Sequence, residues 1–169
     1  MEIVQAALQE VGRRWERNEV SVAQEHLATA ITQRVLAQAS LRASYLPANG
    51  RRALLACVQG NRHSVGLRIV ADTLEIGGWE ACFLGADVPN ADLLAFASMR
   101  RPHLIALSLS LPEQLAPTRD AIRDLRDTLG DDCPPIWVGG LVTLRSDQLW
   151  RKLGADGWAV DALGRLAPG

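Results

Sequence analysis

One histidine in this chain stands where an imidazole could meet a metal. The segment Gly60-Asn61-Arg62-His63-Ser64-Val65-Gly66 sets it in a loop bounded by glycines. Neutral imidazole suits borderline transition metals, and a neighbour at the second ring nitrogen fixes its tautomer. Asn61 is the nearest candidate for that neighbour. The plain alternative is a surface or capping histidine. Three other stretches hold residues that could let a flat ligand approach the backbone: Gly85-Ala86-Asp87-Val88-Pro89, Ser108-Leu109-Ser110 and Gly139-Gly140. Pro89 stiffens the first, and Asn90 after it is a candidate helix cap. Each also reads as an ordinary strand-to-helix turn. Nearer the N-terminus, Trp15 is followed after nine residues by Glu25-His26, which on its own is a packing anchor and a helix start. No Ser-His-Asp order, zinc spacing or phosphate-binding loop occurs, so no independent catalytic centre is expected. Cys57, Cys82 and Cys133 lack metal-type spacing and read as reduced thiols.

For these loops to act together, the fold must bring them to one edge. Apolar strand candidates at 53–58, 81–84, 104–109, 136–138 and 157–160 alternate with helical patterns at 65–76, 92–99, 115–129 and 147–153. Five strands joined by helix-length crossovers predict an α/β fold with a parallel sheet covered on both faces. The expected strand order is the flavodoxin-like 2-1-3-4-5, in which ligands bind beyond the carboxyl ends of the strands. The loops after Val58, Leu84, Leu109 and Val138 fall at that edge. His103, before the third strand, falls at the opposite edge and reads as structural.

Residues 1–46 carry a different rhythm. Ile3, Val4, Ala7, Leu8 and Val11 form a helical apolar stripe. Ser21 with Gln24 has the spacing of a capping box, and Ala23, His26, Leu27, Ala30, Ile31, Val35 and Leu36 trace a second face. Pro47-Ala48-Asn49-Gly50 reads as a linker between this helical region and an α/β domain at 51–169. The chain has 169 residues, of which 48% are hydrophobic, and a formal net charge of -1. That balance gives no general attraction to nucleic acid or acidic lipid. No apolar run is long enough for a membrane span, and no signal-peptide pattern opens the chain, so a cytoplasmic location is expected.

Together the motifs Asn61-x-His63-x-x-Gly66, Gly85-x-x-Val88-Pro89, Ser108-Leu109-Ser110 and Gly139-Gly140 resemble those of the B12-binding domain family. The resemblance implies a cobalamin bound base-off, with His63 as lower axial ligand to cobalt. It also implies a nucleotide tail lodged beside Ser108 and the glycine pair. Two departures are visible: Asn61 replaces the family's usual carboxylate, and Ser110 stands where leucine is frequent. The Trp15-x9-Glu25-His26 arrangement resembles the helical cap of light-sensing, adenosylcobalamin-dependent regulators of the CarH type. There the tryptophan packs over the upper corrin face with the Glu-His pair close by. Such regulators have a four-helix bundle where the residues before Trp15 leave space for one helix, so either the sequence starts late or a shortened cap is covered by a second subunit or ligand; their DNA-reading helix-turn-helix is not matched.

The resemblance favours a regulatory module, not an enzyme. Adenosylcobalamin or methylcobalamin would be the dark ligand and hydroxocobalamin the product of photolysis, with cap packing responding to the upper ligand. Signalling would pass to a protein partner or through self-association, without direct nucleic-acid or membrane contact. The alternatives are a corrinoid carrier for methyl transfer, a photoreceptor with a second, bilin chromophore, and a flavodoxin-like module that does not bind B12.

Overall fold

The computed structural model describes residues 7, 10–11, 13–14, 17, 19–145, 148–159 and 166–168. The chain divides into two compact units, Met1–Ser44 and Tyr45–Gly169. In the first, helix α1 spans Val22–Ser40. It starts where the capping signal stands: Gln24 N–H donates to Ser21 Oγ at 3.3 Å and Ser21 N–H to Gln24 Oε1 at 2.9 Å. Its apolar stripe is not its covered face. Leu36 is buried, and Glu25, Thr29 and Thr32, which lie above it at helical spacing, are partly covered. Leu27, Ile31 and Val35 remain exposed. Trp15, and Ile3, Val4 and Leu8 of the first expected stripe, lie outside the described residues.

The second unit is a six-stranded sheet in the order β2-β1-β3-β4-β5-β6. Its first five strands are β1 Arg52–Val58, β2 Glu80–Val88, β3 Leu104–Ser108, β4 Ile136–Gly139 and β5 Gly157–Ala159, all parallel in the expected 2-1-3-4-5 order. A short β6, Leu166–Pro168, adds an antiparallel edge that sequence periodicity did not signal. Helices α2 Val65–Ile76, α3 Asn90–Arg100, α4 Leu115–Leu129 and α5 Leu149–Leu153 make the crossovers. Residue alternation in β1 explains why both faces need cover. Leu54, Ala56 and Val58 join one core with Ile105, Leu107, Ile136 and Val138. Ala53, Leu55 and Cys57 join another with Leu67 and Ala71 of α2.

Two local departures matter for the site. The expected linker is tied down: Leu46 N–H donates to Ile76 O at 2.9 Å, and Asn49 bonds the Gly77-Gly78 turn through backbone and side chain. Gly78 is required there, because a Cβ would stand 2.3 Å from the Pro47 carbonyl oxygen. In addition, β2 does not stop at Leu84. It runs on to Val88 with its register against β1 shifted twice, between Leu55 and Ala56 and between Ala56 and Val58. Gly85 (φ 87°) and Asp87 (φ 53°) take left-handed backbone in that irregular stretch. The expected loop is a bulged strand end, and Asp87 swings toward the end of β1.

Candidate functional site

His63 sits between β1 and α2, at the carboxyl edge of the sheet, and is exposed. No described residue hydrogen-bonds its imidazole. The chain just before it is held from every side. Gly60 N–H donates to Asp87 Oδ1 at 2.7 Å, and Gly60 O accepts from Gln114 Nε2 at 3.0 Å. Asn61 N–H donates to Val58 O at 2.9 Å, and Asn61 O accepts from Asp87 N–H at 2.8 Å. Every backbone polar group of the Gly60-Asn61 pair is thereby satisfied.

The Asn61 side chain is fully buried. Its Nδ2 donates to Ser108 O at 2.8 Å and lies 3.4 Å from Ser108 Oγ, while its Oδ1 accepts from the His63 backbone N–H at 3.1 Å. This corrects the expected pairing of Asn61 with the imidazole. The amide closes an Asx turn on the main chain of His63 and stitches it to β3, leaving the ring to other partners. Beside it lies Cys57, whose thiol burial pushes up to about 12, with the Ser108 hydrogen bond opposing. In the metal-free protein that thiol stays protonated at neutral pH.

The remaining expected positions surround this point. Arg62 and Gly66 are exposed, Ser64 precedes α2 and Val65 is buried. A Cβ at Gly66 would meet nothing within 4 Å, so the surface beside His63 is open. Val88 is buried and Pro89 caps α3, which corrects the cap expected at Asn90: Asn90 begins the helix and donates to Asp124 Oδ2 at 2.6 Å. Ser108, Leu109 and Ser110 are all buried. At Gly140 (φ 117°) the space a Cβ would take belongs to the Leu109 carbonyl oxygen, 2.1 Å away. The glycine pair therefore lets the ends of β3 and β4 close on one another, and Leu109 N–H donates to Gly139 O at 2.9 Å. Thr143 fixes the turn by donating to Gly140 O at 2.7 Å. Glu25 and His26 belong to the first unit, where Glu25 Oε2 is 3.6 Å from His26 Nε2 and Glu25 Oε1 accepts from Thr29. Trp15 is not among the described residues.

Asp87 and Gln114 were given no role by the sequence, yet both grip the histidine loop. Gln114 is 3% exposed, and its Oε1 also accepts from Ser110 N–H at 2.7 Å and Leu111 N–H at 3.0 Å. A glutamine three residues after Leu111, returning a bond to the Leu111 amide, is half of a capping box, a signal the sequence did carry. Asp87 had no such signal, because its role depends on the bulge.

Among the described residues no three His, Cys, Asp or Glu side chains gather into a metal site. A single imidazole suits a metal that brings its other ligands with it, such as cobalt in a corrin ring. An open surface beside His63 is what such a flat, pre-ligated metal requires.

Fold and site together define a cofactor-binding α/β protein of the flavodoxin-like type. The chain belongs to the B12 binding domain family: one family model of that description matches residues 51–167, and a second matches residues 1–39. Among curated relatives, the HTH-type transcriptional repressor CarA of Myxococcus xanthus is 40% identical over 126 residues, covering 72% of this chain and 41% of the relative. The HTH-type transcriptional repressor CarH of the same organism is 33% identical over 139 residues, covering 82% and 46%. Dimethylamine corrinoid protein 3 of Methanosarcina mazei is 31% identical over 106 residues, covering 62% of each. The chain thus spans less than half the length of the two repressors. The solved structure of the Methanosarcina barkeri monomethylamine corrinoid protein superposes with a TM-score of 0.76 at 22% identity, covering 94% of this chain and 75% of that one. That likeness shows the shared fold. No helix among the described residues is long and apolar enough to cross a membrane.

Proposed function

We propose that this chain binds an alkylcobalamin base-off, with His63 as lower axial ligand, and serves as the sensor part of a regulator. The observation that carries this reading is an exposed imidazole, unpartnered among the described residues, that follows a Gly60-Asn61 turn whose backbone groups are all bonded, at the ligand edge of the sheet. When bound, adenosylcobalamin or methylcobalamin supplies a light-labile cobalt–carbon bond, and hydroxocobalamin is the form left after light. Arg62, Ser64, Val65 and Gly66 would flank the lower corrin face. Val88 and Pro89 would border it, and Ser108 to Ser110 with Gly139 and Gly140 would border the tail. Trp15, Glu25 and His26 are assigned to the upper face on their likeness in type and spacing to the regulator cap. The likeness to CarA and CarH supports a regulatory role. The receiver would be a protein partner or a second copy of the chain, in the cytoplasm.

A second reading has its own support in the likeness to dimethylamine corrinoid protein 3: a carrier that presents a cobalt-bound methyl group to partner enzymes. One experiment separates the two. The chain is mixed in the dark with adenosylcobalamin, desalted, and illuminated with green light while absorbance and elution volume are followed. Retained cobalamin with a light-driven change in both supports the sensor. Retention with no change in elution favours the carrier, and no retention overturns both.

A further inference from the structure

The loop that carries His63 is held in place by two side chains distant from it in sequence. We infer that Gln114 and Asp87 are positioning residues for cobalamin capture, which hold this loop in its ligand-ready form before the cofactor arrives. The inference rests on His63 being the axial ligand.

Residues 59–64 have no helix or strand of their own, and Gly60 sits at φ 83°. A free loop of this kind would have to be ordered at the moment of binding, and that lost entropy would weaken and slow capture. Here the ordering is already done. Asp87 takes Gly60 N–H on its carboxylate and gives its own N–H to Asn61 O, a two-point grip along one strand end. Its left-handed backbone aims it there, and Asp is among the few residues that adopt that conformation readily.

Gln114 works from the other side. Its carbonyl oxygen takes two N–H groups of the Ser110-Leu111 turn, and its NH2 crosses to Gly60 O. An amide side chain of this length accepts on one side and donates on the other. The loop is therefore coupled to the ends of β2 and β3, and Asn61 adds a second link to β3 through Ser108. A merely structural Gln114 would need only its oxygen, to shape the start of α4. The NH2 reaching Gly60 is the part that concerns His63.

Gln114→Glu separates these roles, since a carboxylate keeps both acceptor bonds and loses the donor. Asp87→Gly keeps the backbone conformation and loses the acceptor, whereas Asp87→Asn keeps both. In dark stopped-flow mixing of the full chain with adenosylcobalamin, Gln114→Glu and Asp87→Gly are expected to slow uptake roughly 5–10-fold, the size of one lost hydrogen bond, without changing the final spectrum. Asp87→Asn keeps the wild-type rate. Amide hydrogen exchange at Gly60, Asn61 and His63 in cobalamin-free protein should be slow in the wild type and faster in the two slowed variants. Uptake within about two-fold of wild type in both, despite faster exchange, overturns the inference while leaving His63 as ligand. So does rapid exchange of these amides in the wild type, which needs no variant to fold. Failure of the wild type to take up cobalamin at all overturns the reading of His63 itself.

Discussion

At the scale of single residues, the site is governed by which polar groups are already occupied. Asn61 makes three contacts and offers nothing to the imidazole, so its loss would be felt first in the fold. Asn61→Ala leaves Ser108 O without this partner in a buried setting and the His63 amide without its partner in a half-buried one, a cost of about 1–3 kcal/mol. Urea unfolding of cobalamin-free protein measures it, and an unchanged midpoint would show the bonds to be dispensable. Cys57 gives a pH signature. Its folded-state pKa is raised to about 12 from 9.0, so the folded state holds its proton where the unfolded chain has lost it. The stability this contributes is complete below about pH 9 and drains away as pH rises toward 12. Chemical denaturation between pH 8 and about 11 should show a decline that Cys57→Ala removes. The place of the histidine loop at the ligand edge of the sheet was legible from the strand pattern, but residue types alone left a surface or capping histidine equally open, and the cobalt reading came only with the family resemblance. The duty of Asn61 was not legible, since an amide two residues before an imidazole can serve either its ring or its main chain.

At the scale of elements, the strands and crossovers were readable because apolar runs of strand length alternate with helical spacing. Bounds from 52–58 to 157–159 fall within a few residues of the expected ones, except in β2. There Gly85-Ala86-Asp87 reads as a loop by composition, and only pairing with β1 keeps it in the sheet as a bulge. That bulge is what delivers Asp87 to Gly60. The stripe of α1 misled for a related reason. Periodicity finds an apolar face without saying what covers it, and Leu27, Ile31 and Val35 are exposed. At the β3–β4 edge, Gly140→Ala joins a positive φ to a Cβ 2.1 Å from a backbone oxygen. Backbone, unlike a flexible side chain, cannot step aside, so a loss of about 3 kcal/mol or more is expected. Gly66→Ala, which meets nothing within 4 Å, should leave the stability of the cobalamin-free protein within about 0.5 kcal/mol of wild type. Equal effects at the two glycines would contradict the distinction.

The molecule offers an exposed imidazole on a bonded turn at the sheet edge, a surface suited to a cofactor that carries its own metal. A ligand that binds only the folded chain must stabilise it, by about 2.7 kcal/mol when free ligand is 100 times its dissociation constant. Adenosylcobalamin in the dark should therefore raise the unfolding midpoint in proportion to the logarithm of its concentration, and His63→Ala should blunt that rise. Whether His63 ligates the cobalt is decided by electron paramagnetic resonance of the protein-bound cob(II)alamin form. In that state the unpaired electron couples to the nucleus of the axial nitrogen. With unlabelled protein a base-on cofactor and a histidine-ligated one both give threefold splitting. Nitrogen-15 labelling of histidine in the protein alone distinguishes them: ligation by His63 predicts collapse to twofold splitting, and its disappearance in His63→Ala. Threefold splitting that persists in the labelled protein would mean that the cofactor keeps its own base and that His63 is not its ligand.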